Sequence, residues 1–236
     1  MAIRKVFHAK DKTIGVDILD IEFCYSSGFS VSQKQKSVKS LHDSAYNHGF
    51  KSILEVSTKS TEEVGVSLSA FNLSTKTKKN NYEFTVERAF QASKVFENGG
   101  PYIDILHMSS IEAKKDPRIR NSGDILYFKF YNFIFNKNPP TYFYDWLYIN
   151  TLIENQKLLL RLEKYDTFTD IEFNSEKSIN CQAYSLALFC SIKMNNIEIA
   201  KLKDPEYFLK ICKNEYENRW GKQISIKKTR DNELFS

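Results

Sequence analysis

Residues 179–194, INCQAYSLALFCSIKM, read as an apolar helix. Such a helix has no wide face for water, so other parts of the chain must wrap it. It is too short to span a bilayer, and no run of 18 apolar residues occurs anywhere in the sequence. At 236 residues the chain has the length for one domain with a sizeable core. Hydrophobic residues make up 42% and aromatics 14%, which excludes a disordered chain and supplies that core.

Turn and cap residues divide the rest. DILDIEFCYS alternates as a short strand near 17–25. Ser30 or Ser32 starts a helix whose Val38, Leu41 and Ala45 share a face, and Gly49 stops it. SILEVS reads as a strand, and residues 64–87 as two strands about a Lys/Asn turn near 77–81. A helix follows from about Thr85 and ends at ENGGPY. SSIEAKKDPRIRNSGD is a short helix ended by Asp116-Pro117, and ILYFKFYNFIF is a strand. TYFYDWLYINTLIENQKLLLRLEKY is a long helical stretch broken near Asn155, and Asp204-Pro205 opens a last helix. The sum predicts a helix-rich α+β domain, mainly α-helical with a small β-sheet. Residues 1–16 are expected to be an N-terminal extension, 17–220 the domain, and 221–236 a basic C-terminal tail.

Several function classes lack their signatures. There is no G-x-x-x-x-G-K-[ST], G-x-G-x-x-G or G-x-S-x-G, and only 8 glycines. The four histidines (His8, His42, His48, His107) are dispersed, so no metal site and no cofactor are expected. Cys24, Cys181, Cys190 and Cys212 are scattered, and MAIRKVFHAKDK has no apolar leader core, so a reduced, cytoplasmic, membrane-free protein is expected. A net charge of +5 is compatible with a nucleic acid or polyphosphate partner and equally with a plain cytosolic protein.

Three segments set polar groups against apolar surroundings. In NNYEFTVERAFQASKVFENGG, Glu87, Gln91 and Lys94 fall on one stripe while Val86, Ala89, Phe90 and Phe96 look buried. In GFSVSQKQKS, Lys34 leans toward the buried face and Lys36 to the side. Burial and the positive end of a helix both disfavour an ammonium, leaving a nucleophilic amine or a phosphate clamp. DTFTDIEFNSEKSIN gathers Asp170, Glu172 and Asn180 in a loop before the apolar helix. Solvated faces and loops are the commoner cause of all three patterns, and residue chemistry alone does not single out a site.

LSAFNL, EFTVERAFQASKVF, SIEAKKDPRIRNSG, YDWLYINTLIENQKLLLRL and DIEFNSEKSIN, in that order, resemble the NADAR (YbiA-like) family over about residues 65–190. The Glu-x-x-[FY]-Gln-x-x-Lys helix is the most specific part. Arg88 stands where the family usually has His, and Phe173-Asn174 where its late loop has Trp-Gly, marking a divergent branch. With GFSVSQKQKSVKSLH and FTDIEFNSEKSINCQA the resemblance extends to NADAR antitoxins paired with DarT-type DNA ADP-ribosyltransferase toxins.

That resemblance implies a single-domain YbiA-like fold and an ADP-ribose glycohydrolase that frees modified guanine bases in DNA. ADP-ribosylated DNA is then the substrate, ADP-ribose the ligand and a DarT-type toxin the cognate partner. Lys34 or Lys36 would attack the anomeric carbon, or its ring-opened aldehyde, and Glu87 would handle protons. Phe71, Asn72, Gln91, Lys94, Lys114, Trp146, Asp170, Glu172 and Asn180 would hold the substrate, with Tyr144 as another stacking candidate. Two other readings stand beside it: a non-catalytic antitoxin that binds the toxin or modified DNA, and an N-glycosidase acting on a small phosphoribosyl intermediate of the riboflavin pathway.

Overall fold

The computed structural model describes residues 1–77, 80–176 and 178–221. In chain order its elements are β1 (Ala2–Ala9), β2 (Val16–Phe23), α1 (Val31–Asn47), β3 (Ile53–Glu55), α2 (Glu63–Ser67), β4 (Ser74–Lys76) and β5 (Glu83–Thr85). Next come α3 (Val86–Ala92), β6 (Lys94–Phe96), α4 (Ser110–Lys115), α5 (Arg118–Asn121), β7 (Ile125–Phe130) and β8 (Phe133–Asn136). The chain continues through α6 (Tyr142–Ile153), α7 (Gln156–Leu162), β9 (Thr167–Thr169), α8 (Gln182–Met194) and α9 (Pro205–Trp220). This is an α+β domain in which small sheets are packed among helices.

The principal sheet has the order β2-β1-β9-β3. β1 pairs antiparallel with β2 along its whole length, from Ala2↔Phe23 to Ala9↔Val16. On its other side β1 runs antiparallel to β9, which lies parallel to β3. Residues 1–16 are therefore no extension. Val6 faces one side of the sheet and Phe7 and Ala9 the other, and all three are buried. The short alternating stretch is hard to see in sequence because Arg4, Lys5 and His8 interrupt it.

The two faces carry different cores. α1 covers one face, with Val38, Leu41 and Ala45 against Val6, Ile21, Phe23 and Ile171. The other face packs on α8, which in turn packs on α6, and both helices are buried almost throughout. Asp145 of α6 ties this layer together. It accepts hydrogen bonds from the Thr141 hydroxyl at 2.7 Å, Ser185 of α8 at 2.6 Å and Tyr216 of α9 at 3.0 Å.

The local signals act as expected at several ends. Ser30 caps α1, and Asp204 caps α9 with Pro205 in its first turn. The helical stretch breaks at Asn155, whose amide donates to the Ser74 and Thr151 carbonyls, both at 2.8 Å. Two expectations are corrected. Residues 63–67 are helical, with only 74–76 and 83–85 extended about the turn, and ILYFKFYNFIF is a hairpin, β7–β8, turning at Tyr131 (φ 50°). Part of the Lys/Asn turn and residues 222–236 of the expected basic tail lie outside the described residues.

Candidate active site

α3 begins where Thr85 accepts a hydrogen bond from the Arg88 N–H at 3.3 Å, and it lasts only seven residues. Lys94 is thus the first residue of β6, yet it continues the stripe. Its ammonium donates to Gln91 Oε1 at 2.7 Å, and Gln91 Nε2 donates to Glu87 Oε1 at 2.9 Å. All three are nearly buried, at 6% exposure for Glu87 and Gln91 and 9% for Lys94. A solvated face is excluded by those numbers.

The stripe lines a cleft with two lobes. Glu87 sits in a lobe of about 520 Å3 together with Phe71, Lys114, Asp170, Glu172 and Gln182. Lys94 sits in a lobe of about 610 Å3 with Phe128, Lys137 and the 138–140 loop. Phe90, Gln91, Tyr144, Ser178 and Asn180 border both, so the lobes adjoin. The first lobe gathers carboxyl groups beside Lys114, and in the second the Lys94 amine lies over an aromatic floor, its Nζ 4.7 Å from the centre of the Phe90 ring, with Lys137 and Glu176 also on the wall.

Burial governs the charges. Desolvation brings the Lys94 amine down to about 8, with Glu87 pulling it up and Lys114 pushing it further down. Asp170 emerges directly after β9 and is pushed well above the usual carboxylate range by burial and then by Glu55. Backbone N–H groups of Glu172 (3.0 Å) and Phe173 (3.1 Å) donate to its Oδ1 and pull the other way. Tyr144, also buried, is held neutral far above its ordinary value by desolvation and the Glu87 charge. The lobe thus combines a carboxyl group biased to keep its proton with a second carboxylate on α3, an arrangement suited to moving protons on and off a ligand.

Not every expected residue reaches the cleft. Phe71, Glu87, Gln91, Lys94, Lys114, Asp170, Glu172 and Asn180 line it. Asn72 does not: it is exposed and its amide donates to the Val66 carbonyl at 2.8 Å. Trp146 is core, packed on Phe133 and Phe135 with ring centres 5.7 and 4.9 Å away, because it follows Tyr144 around α6 onto the inner face. Tyr144 is the aromatic of that helix that borders both lobes, while Tyr142 and Phe143 line only the lobe of Lys94. Lys34 is half-buried and donates to the Tyr25 hydroxyl at 3.0 Å, Lys36 is exposed, and neither lines a lobe. The topology nevertheless brings the start of α1 to the end of the sheet where the Asp170 loop begins, since Val6 pairs Thr169 and Ala2 pairs Phe23.

Sequence reading missed Gln182, which ties the floor together: its Oε1 accepts from Ala70 N at 2.6 Å and its Nε2 donates to the Val56 carbonyl at 2.5 Å. An amide opening an otherwise apolar helix was the available signal. Glu55, the lone carboxylate of SILEVS, was missed too.

The sequence model of the DarT1-associated NADAR antitoxin family matches residues 2–221. The chain belongs to that family. The match includes β1, in agreement with its place inside the principal sheet of this NADAR domain. A search of curated proteins finds no match. The two departures from the wider NADAR pattern differ in consequence. Arg88 turns away from the cleft and donates to the Leu106 (3.0 Å) and Glu83 (2.9 Å) carbonyls, whereas Phe173 and Asn174 line the acidic lobe. Among the described residues, no helix is long and apolar enough to cross a membrane.

Proposed function

We propose that this NADAR antitoxin is a cytoplasmic glycohydrolase that removes ADP-ribose from guanine bases modified by a DarT-type toxin. The observation that carries the reading is the single cleft in which Glu87 and Asp170 share one lobe and the Gln91–Lys94 chain leads into the other. A ligand with a ribose beside the carboxyl groups and a pyrophosphate between Lys114 of that lobe and Lys94 of the other fits this arrangement.

In the reaction the bond between the anomeric carbon and the guanine nitrogen breaks. The nitrogen keeps the electron pair and takes a proton from Asp170, and Glu87 faces the positive charge that develops on the ribose. Water adds to the anomeric carbon and gives its proton to Glu87, so the products are unmodified guanine and free ADP-ribose. Lys94 and Lys114 hold the pyrophosphate, and Phe71 or Tyr144 stacks on a base. A lysine amine can take the place of water in the first step, forming a Schiff base with the ring-opened ribose that water later cleaves. Lys34 is the amine proposed for that step; it lies outside both lobes, where its amine donates to the Tyr25 hydroxyl, so it has to leave that partner to act.

The test is incubation with guanine-ADP-ribosylated single-stranded DNA and mass analysis of the products. Release of ADP-ribose with restored guanine is expected, and Glu87→Gln should slow it about 100-fold or more. Binding without release would make the protein a reader of modified DNA, and no binding would sink the DNA reading. Borohydride trapping compared between wild type, Lys34→Ala and Lys94→Ala names the amine: an adduct lost only in Lys34→Ala supports Lys34, and one lost only in Lys94→Ala removes Lys34 from the role.

A further inference from the structure

The loop that delivers Asp170 is held from behind by a carboxylate that does not enter the cleft. Along β9 and its continuation, Phe168 packs in the core that contains α6 and α8, Asp170 lines the cleft, and Thr169 and Ile171 turn toward α1. Glu55, paired with Thr169 across the β3–β9 ladder, is on that α1 side and only 2% exposed. Its Oε2 accepts from the Thr169 hydroxyl at 2.6 Å, and its Oε1 accepts from the Ile171 N–H at 2.9 Å and the Ser57 hydroxyl at 2.5 Å. One carboxylate thus grips the residue before Asp170 and the residue after it.

The grip extends into α1. His42 Nε2 lies 2.9 Å from the Thr169 hydroxyl. With that hydroxyl donating to Glu55, His42 serves as the donor to Thr169, so its ring carries the proton on Nε2. Burial keeps His42 neutral by lowering it to about 4.

We propose that Glu55 is a positioning residue for Asp170: it clamps both flanks of the loop from the far side of the sheet and fixes the charge that Asp170 presents to the cleft. The inference rests on the glycohydrolase reading for its meaning, not for its geometry. Two buried carboxyl groups so placed cannot both ionise freely: Glu55 holds Asp170 toward its protonated form, and burial and then Glu172 raise Glu55 itself. Other charges bear on the pair. Glu172 follows Asp170 in the loop and is approached by Lys59 at 3.8 Å. Glu62 and Asp43 act on His42, while Tyr144, Tyr148 and Cys181 feel Asp170 from α6 and the start of α8. Among the described residues, Glu55 is the carboxyl group bonded to both neighbours of Asp170, through the Thr169 hydroxyl and the Ile171 N–H.

The deciding experiment is a carbon-13 NMR titration of labelled Asp and Glu carboxyl groups in the whole protein, with Asp170 assigned from Asp170→Asn. In the wild type the Asp170 and Glu55 carbons should report the same two titration steps; a single independent step for each would overturn the clamp without any variant. In Glu55→Gln, whose amide can donate to Thr169 while its oxygen still accepts from Ile171, the Asp170 midpoint should fall by about one unit or more. The limb of the cleavage profile that reports Asp170 should move to lower pH with it. An unmoved Asp170 midpoint in a folded Glu55→Gln protein would refute the proposal even if cleavage is observed. A shifted midpoint in a protein that cleaves nothing would leave the clamp standing and remove the glycohydrolase reading.

Discussion

Lys94 shows how one residue can be visible in sequence and still change meaning in the fold. Its spacing from Glu87 and Gln91 is helical, but it sits past the end of α3, and the stripe survives because β6 carries on in line with the helix. Its amine, brought to about 8 by burial, is charged below that value and neutral above it. If it holds the pyrophosphate, ADP-ribose binding measured by calorimetry should weaken as pH rises through about 8, and Lys94→Arg should abolish that dependence. Trp146 is the opposite case, a residue read as a ligand contact that is core. Trp146→Ala is expected to lower stability by about 3–5 kcal/mol in denaturant titrations while leaving the ADP-ribose affinity of the folded protein unchanged.

Among the elements, β3 and α2 meet where the Glu55 clamp begins. A Cβ on Gly65 of α2 would run into the Glu55 carbonyl oxygen and the Ser60 hydroxyl, so Gly65→Ala should cost about 1–3 kcal/mol in thermal melts, with the local shift reaching β3. α3, capped by Thr85, was readable because a cap, a burial period and a polar stripe agree over few residues. β1 was not readable, since its charged residues hide an alternation that makes sense only once β2 and β9 lie on either side. The β7–β8 hairpin was hidden for a related reason: its aromatic run has no fixed period, and the turn at Tyr131-Asn132 carries no glycine.

For the whole molecule, buried titratable groups set how stability follows pH. Asp145 keeps its proton to about 6 in the folded chain and Glu55 to about 7, against ordinary values of 3.8 and 4.5. The unfolded chain has released those protons earlier, so each upward pH step across these windows favours unfolding. His42 acts oppositely, because the unfolded chain takes up a proton below 6.5 that the folded chain refuses until about 4. It offsets part of that loss, to which the raised Asp170 adds in the same direction, and the urea midpoint is expected to fall from about pH 4 to about 7. Asp145→Asn should flatten that fall, whatever its absolute stability, and an unchanged slope would count against a protonated Asp145. By itself the sequence determined the α+β class, the buried central helix, the caps and the polar stripe, because each depends on residues within a few positions of one another. Only the tertiary structure decided that Asp170 shares a lobe with Glu87, that Glu55 stands behind it, and that Trp146 is core. The first two join residues more than 80 positions apart, with charges set by burial that no local pattern encodes, and the third depends on a hairpin whose turn the sequence does not mark.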